Sequence, residues 1–279
     1  MNAVKIVRET VGSFMRDRGT TYAAAIAYNT LLSVFPLILG IVAIFGFVFN
    51  DPAVRAQFIN SVAALFPDSA NLVESTIEQI VRGRGAASVV AVVSLIWFGS
   101  GVFGAIAQAL DVIWQVPRER GLIQSAVLGV VMVLGVGVVF LAVLVLSAAL
   151  SVAASFQIPF LGWSLANIPF LFAFLSLILP WVVTFVIFAV VYKYVPNTSL
   201  SWKDAWPGAV LASVLIEVSQ QLFVWYLRNF AAFNAVYGSI GTVIVFLTWA
   251  DYAAIVLLIG AEFNATLARH RRGSGLAEI

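Results

Sequence analysis

Cysteine is absent from this 279-residue sequence and histidine occurs once, so the chain offers no disulfide framework, no thiol nucleophile and no Cys/His zinc site. Charge is also scarce. Only 10% of residues are Asp, Glu, Lys or Arg, against roughly a quarter in an ordinary soluble domain. That is too little to cover a water-soluble globule of this size. The formal net charge of +2 is spread over short flanks instead of clustering on one face, which argues against nucleic acid as a partner. There is no Walker A pattern, so the chain encodes no ATP-driven motor. What remains is 62% hydrophobic residues and a mean hydropathy of +1.03, the composition of a polytopic membrane protein.

A bilayer core about 30 Å thick needs roughly 20 apolar residues in helical form. Six such runs occur, at residues 22–49, 88–114, 122–155, 169–192, 205–227 and 238–268. The expected fold class is therefore all-α, a polytopic bundle of six transmembrane helices occupying residues 22–268. Residues 1–21 form an amphipathic interfacial helix ahead of it. Val4, Val7, Val11 and Phe14 recur there at helical spacing among Lys5, Arg8, Arg16 and Arg18, without the compact apolar core of a signal peptide. Residues 269–279 form a basic tail.

Orientation follows from Lys and Arg on alternate sides. With both termini cytoplasmic, the inner segments hold Lys5, Arg8, Arg16, Arg18, Arg118, Arg120, Lys193, Lys203, Arg269, Arg271 and Arg272, or 11 of 15. Arg55, Arg82, Arg84 and Arg228 fall outside. The outer segment 50–87 carries one apolar stripe (Val54, Phe58, Val62, Leu65), a break at Pro67-Asp68-Ser69, and a second stripe (Leu72 or Val73, Ile77, Ile80) ending at Gly83-Arg84-Gly85. It predicts a helical hairpin, either a cap on the interface or a lid over an outward opening. Trp163, Trp202, Trp206, Tyr192, Tyr194 and Tyr237 near span ends read as interfacial anchors.

Polar groups are expensive inside a membrane, about 2.5–3.5 kcal/mol for a central charge, so each is a candidate. Glu217 and Asp251 lie near the middles of the fifth and sixth spans, Glu262 nearer the inner end of the sixth, and Asp111 near the inner end of the second. Asn29, Gln108, Gln221 and Asn264 complete the candidate polar cavity. Glu217 and Gln221 share a helix face, as do Asp251 and Glu262. The same residues could equally hold helices together by hydrogen bonds. Pro36, Pro180 and Pro207 predict helix kinks. The first and fourth spans, which carry Pro36 and Pro180, begin equivalent three-helix halves, so an inverted repeat is one reading; the Ser-to-Pro spacing differs between them, and an ordinary membrane-helix kink is the other. Gly99-Ser100-Gly101-Val102-Phe103-Gly104 formally matches a dinucleotide fingerprint, but inside a membrane-length apolar run it reads as small residues for close helix packing.

Metal-assisted phosphodiester cleavage needs clustered carboxylates or histidines in a basic aqueous groove. His270 instead stands in Arg269-His270-Arg271-Arg272, whose arginines read as membrane-surface anchors. No enzyme activity, catalytic residue, metal or cofactor is expected.

Several local patterns coincide with a known family. Ala23-Ala24-Ala25-Ile26-Ala27-Tyr28 with Leu31-Leu32-Ser33-Val34-Phe35-Pro36, then Trp202-Lys203-Asp204-Ala205-Trp206-Pro207-Gly208-Ala209, then Tyr237-Gly238-Ser239-Ile240-Gly241, Trp249 and Gly260-Ala261-Glu262-Phe263-Asn264, together resemble the YihY/BrkB family of bacterial inner-membrane proteins. The resemblance spans nearly the whole chain. It implies an inner-membrane location and an envelope role. Some members carry the label ribonuclease BN, widely regarded as a misassignment, and others are linked to serum resistance or to envelope lipid export. Glu262, Asn264, Pro36 and Pro207-Gly208 match the family pattern, whereas Asp251 and Asp111 depart from it.

Two functions follow as expectations. In one, the chain transports an envelope lipid or other amphipathic molecule along its polar cavity, with membrane lipids as partners. In the other, it is a non-transporting scaffold or regulator that binds a second copy of itself or other envelope proteins.

Overall fold

The computed structural model describes residues 3–53, 55–56, 70–117, 120–155, 157–158, 163–164, 169–230 and 233–275. Seven long helices follow in order: α1 (Ala3–Arg16), α2 (Gly19–Val48), α3 (Ala70–Ile113), α4 (Leu122–Ser155), α5 (Pro169–Tyr194), α6 (Trp202–Phe230) and α7 (Phe233–Gly275). The six apolar runs fall one to a helix in α2 to α7, and α4 coincides with its run at both ends. Between α4 and α5, β1 (Gln157–Ile158) pairs antiparallel with β2 (Trp163–Ser164), a short ladder that apolar periodicity did not predict. Three stretches, Gly19–Phe47, Trp202–Tyr226 and Val243–Arg271, are long and apolar enough to cross a membrane. Shorter apolar stretches lie at Trp97–Ile113, Ile123–Val139 and Pro180–Tyr194. The chain is a helical membrane protein.

Local chemistry explains the breaks. Between α1 and α2, Arg18 takes a left-handed conformation (φ 55°), and the Phe14 ring lies against Gly19 so closely that a β-carbon there would strike it. Phe14 is consequently buried, whereas Val4, Val7 and Val11 stay exposed and are joined by Met15. The opposite face of α1, Ile6, Thr10 and Ser13, is buried, and α1 packs on α7. At the end of α3, Gln115 is left-handed (φ 52°), with Gln115 N donating to Val112 O at 3.0 Å and Val116 N to Asp111 O at 2.9 Å. This is a Schellman closure, and Pro117 follows it.

One expected break is missing. α3 runs unbroken through Gly83 and Gly85, so the second arm of the predicted outer hairpin is the first part of α3 itself. Each helical glycine costs only about 1 kcal/mol. The extension recovers this by packing Ile77 and Val81 against Phe49, with an Arg82–Glu78 ion pair at 3.2 Å. The centre of the first arm, residues 57–69, lies outside the described residues.

The three prolines sit inside helices, Pro36 in α2, Pro180 in α5 and Pro207 in α6. Pro207 shows how the missing donor is replaced. A residue with an N–H at 207 would bond Lys203 O; Arg271 Nη1 from α7 takes that carbonyl instead, at 2.9 Å. At the start of the same helix Asp204 Oδ2 accepts Ser201 N–H at 3.3 Å and Ser201 Oγ–H at 2.6 Å, the acidic half of a capping box.

The core gathers at one end of the bundle. It is built mainly from the first part of α2, the last turns of α3 and α5, the start of α6 and the second half of α7. Ala205, Ala209 and Ala212 of α6 face Ala254, Ala261 and Ala265 of α7 across a close crossing. Tyr192, predicted as an interfacial anchor, belongs to this core: it is buried and its hydroxyl donates to Leu257 O at 2.7 Å. Tyr194, Trp202 and Trp206 are exposed, as anchors require. The side chains of Trp163 and Tyr237 lie outside the described set.

Candidate functional site

At the same end, α2, α3 and α4 enclose a cavity of about 450 Å³ lined by Tyr22, Gln108, Asp111, Gln115, Arg120 and Ser125, with Gly104 and Ala107 at its floor. The volume lies in the range of small-ligand sites. The helix closure places the acid, because Asp111 stands in the last turn of α3 and its Oδ1 accepts the Asn197 N–H of the α5–α6 connection at 2.6 Å. Arg120 sits two residues before α4, and its Nη1 is buried with no hydrogen-bond partner among the described residues. Arg120 acts electrostatically on Asp111, but no ion pair joins them among the described residues.

A second, apolar groove of about 620 Å³ adjoins this cavity along α3 and α4, lined by Val93, Trp97, Ser100, Gly101 and Val130. The two share Gly104 and Ser125. The glycine-rich run shapes both. A β-carbon at Gly99 would lie 2.7 Å from Val133, one at Gly101 2.8 Å from Asn29 Oδ1, and one at Gly129 2.6 Å from Ser100. These are the close helix approaches expected from that run. Gly104, by contrast, has open space beyond it. A polar chamber continuous with an apolar groove can accept a molecule with a charged head and a greasy tail.

The predicted cavity residues do not form one site. Gln108 alone lines the polar chamber. Asn29 donates to Ala25 O of its own helix at 2.8 Å and touches α3 at Gly101. Glu217 turns to α5, where Thr184 Oγ1 donates to Oε1 at 3.5 Å. Gln221 is exposed, and Asp251 is half-buried on α7. The face of α6 that meets α7 carries Ser219 instead, which donates to the Tyr252 hydroxyl at 3.2 Å. Glu217 and Ser219 are two residues apart and so point to opposite sides of their helix. The fifth- and sixth-span acids therefore do not meet.

Asn264 is a helix-crossing staple. Its Oδ1 accepts Gly208 N at 2.6 Å and its Nδ2 donates to Ala205 O at 2.9 Å, both buried. Asn264→Leu is expected to remove both buried hydrogen bonds from the crossing, lowering stability by about 1–3 kcal/mol. Thermal unfolding in mild detergent checks this, and Asn264→Gln should not restore the wild-type midpoint.

Glu262 is fully buried beneath α1, facing Asp17, Arg16 and Arg269, with Arg269 Nη2 at 3.9 Å. Arg269 and Arg271, expected as membrane-surface anchors, are engaged by the protein. Arg269 donates to Ser13 Oγ at 3.3 Å and Thr266 Oγ1 at 3.1 Å, and Arg271 pairs with Asp204 at 3.8 Å besides holding Lys203 O. The fold needs donors at those carbonyl and hydroxyl groups, and long guanidinium side chains reach them. Arg272's side chain lies outside the described set. Among the described residues no group of three or more His, Asp or Glu gathers as a metal site.

A family model described as Virulence factor BrkB matches residues 10–278. The chain belongs to the BrkB family. Among its relatives, a UPF0761 membrane protein of Aggregatibacter aphrophilus is 29% identical over 92% of this chain and 90% of its own. Another, from Haemophilus influenzae, is 28% identical over 91% of both. The Bacillus subtilis protein YfkH, whose name calls it ribonuclease-like, is 26% identical over 96% of this chain and 97% of its own. No solved structure matches. The BrkB match covers α2 to α7 and therefore both chambers.

Five of the six polar lining side chains escaped the sequence reading as a site. Arg120 counted only as an inner-side positive charge, Asp111 stood apart from the cavity set, and Tyr22, Gln115 and Ser125 carried no signal. The available clue was spacing. Asp111 and Arg120 stand on either side of Pro117, which follows the end of α3, so opposite charges fall close together in sequence between α3 and α4.

Proposed function

We propose that this chain is a six-span protein of the bacterial cytoplasmic membrane, both termini cytoplasmic, that binds an envelope lipid or similar amphipathic molecule and moves it between leaflets. The observation that carries the reading is the head-and-tail shape of the α3–α4 site, a polar chamber joined at Gly104 and Ser125 to an apolar groove. The chamber lies at the basic end of the bundle, level with the cytoplasmic headgroups in this orientation. Trp97 and Val93, exposed along the groove, leave it open toward the acyl chains. The exposed stripe of α1, flanked by Lys5 and Arg8, suits the same interface.

The test is movement of a fluorescent phospholipid in proteoliposomes, with protein-free vesicles as reference. Faster leaflet exchange in the presence of the protein is expected, together with specific lipid retained through purification. Equal exchange and bulk-like lipid would overturn the reading. A scaffold role is the second reading, and the Asn264 staple and the Glu217–Thr184 contact favour it for the polar groups of α6 and α7. It predicts a co-purifying envelope protein and no exchange.

A further inference from the structure

We propose that the polar chamber selects a headgroup carrying both a phosphate and a primary amine, Arg120 taking the phosphate and Asp111 the ammonium, so that the occupant is an ethanolamine phospholipid. The inference rests on the lipid reading above and adds the identity of the head.

Three observations lead to it. Among the described residues, one cation and one anion line the chamber, and no ion pair joins them. Opposite charges in a partly dry site normally close on each other, because each lowers the other's cost of burial. Here the acid is held elsewhere. Asp111 is fixed in the Schellman turn and tied to Asn197 N, and Arg120 belongs to the segment that opens α4. The second observation is the orphan donor. Guanidinium N–H groups are costly to bury unsatisfied, and a phosphate oxygen is the acceptor their geometry fits best. Ser125, in the first turn of α4, adds a hydroxyl beside a helix N-terminus, which also favours negative charge. The third is spare capacity at the acid. Asp111 accepts one backbone N–H, while a carboxylate has about four acceptor sites, so room remains for an ammonium donor.

Competing headgroups fit less well. A glycerol head leaves Asp111 facing phosphate with no cation between them. A choline head has the cation but no N–H to give the carboxylate. Gln108 and Gln115, which line the chamber, can serve the phosphate ester oxygens or the amine without changing this order.

The experiment offers the purified protein, in mild detergent, an equimolar mixture of ethanolamine, choline and glycerol phospholipids with identical acyl chains, and weighs the retained lipid by mass spectrometry. The ethanolamine lipid should exceed each of the others about tenfold, roughly what one charge-assisted hydrogen bond provides. Arg120→Gln should lower retention of all three, because every head carries phosphate. Asp111→Asn should erase the ethanolamine preference over choline. Since Asp111 also holds the α5–α6 connection, Arg120→Lys provides a check that leaves that bond alone. It keeps the charge and should keep the ethanolamine preference. Equal or greater retention of the glycerol lipid by the wild type would overturn the headgroup assignment while leaving the lipid reading standing. Absence of any retained lipid would overturn both. Displacement of the lipid by an equal concentration of soluble glycerophosphoethanolamine would also count against a lipid occupant, since the groove would then contribute nothing.

Discussion

Gly260→Val is expected to be the most damaging single substitution at the α6–α7 crossing, lowering stability by about 3–5 kcal/mol and the unfolding midpoint in detergent by on the order of 10 °C. A β-carbon at 260 would collide with the Tyr192 hydroxyl and stand 2.9 Å from both Ala212 Cβ and Gly208 O. None of these can yield easily. Tyr192 is buried, stacks on Phe188 at 5.9 Å between ring centroids, and donates to Leu257 O; Gly208 O is backbone. The helices must therefore separate, and separation also breaks the Asn264 bonds to Gly208 and Ala205. Glycines elsewhere provide the contrast. Gly135→Ala, in α4 with open space beyond it, should be neutral or slightly stabilising because alanine favours helix by about 1 kcal/mol. Matched thermal melts of the two variants check the prediction, and a Gly260→Val protein that melts with the wild type would show that this crossing does not govern stability.

Gly104→Phe should do the reverse, leaving the fold intact and removing function. No atom lies within 4 Å of a β-carbon at 104, so a side chain there enters space, and the helix gains from losing a glycine. That space is the seam where the polar chamber meets the apolar groove. A phenyl ring in it prevents one molecule from engaging both. Linked contacts that can no longer be made together lose their mutual advantage, so lipid retention and leaflet exchange should fall on the order of 10²-fold. The readouts are the retained-lipid and exchange assays, with a melt as the control for folding. Full retention by a well-folded Gly104→Phe protein would separate the two chambers and take the amphipathic reading with it.

Legibility differed between fold and site. Apolar run length located all six long helices of the main body, because a chain this poor in charge has few ways to satisfy its backbone other than helices. The α1 stripe was readable apart from Phe14, which the Arg18–Gly19 turn draws inward. Glycine was misleading at 83 and 85, where the packing of Ile77 and Val81 on Phe49 outweighs a local propensity. Polar residues were the least readable. In a soluble protein, polarity marks the outside of a helix; here the outside and the core are both apolar, so a half-buried Glu217 or a buried Asn264 shows only that it has a partner and not which helix supplies it. The same ambiguity hid Tyr192 and the inward engagement of Arg269 and Arg271.

Composition and run length alone established a helical membrane protein, the place of each long helix and, through motif order, its resemblance to the BrkB family; these depend on local chain properties that survive without tertiary contacts. Only the tertiary structure decided which polar groups share a site. Tyr22, Gly104, Asp111, Arg120 and Ser125 come from three helices and a turn, and Asn197, which holds Asp111, from a fifth region 86 residues away. Their meeting depends on how α2, α3 and α4 cross, and that is set by close approaches at Gly99, Gly101 and Gly129, where the absence of a side chain specifies a distance that no periodicity records.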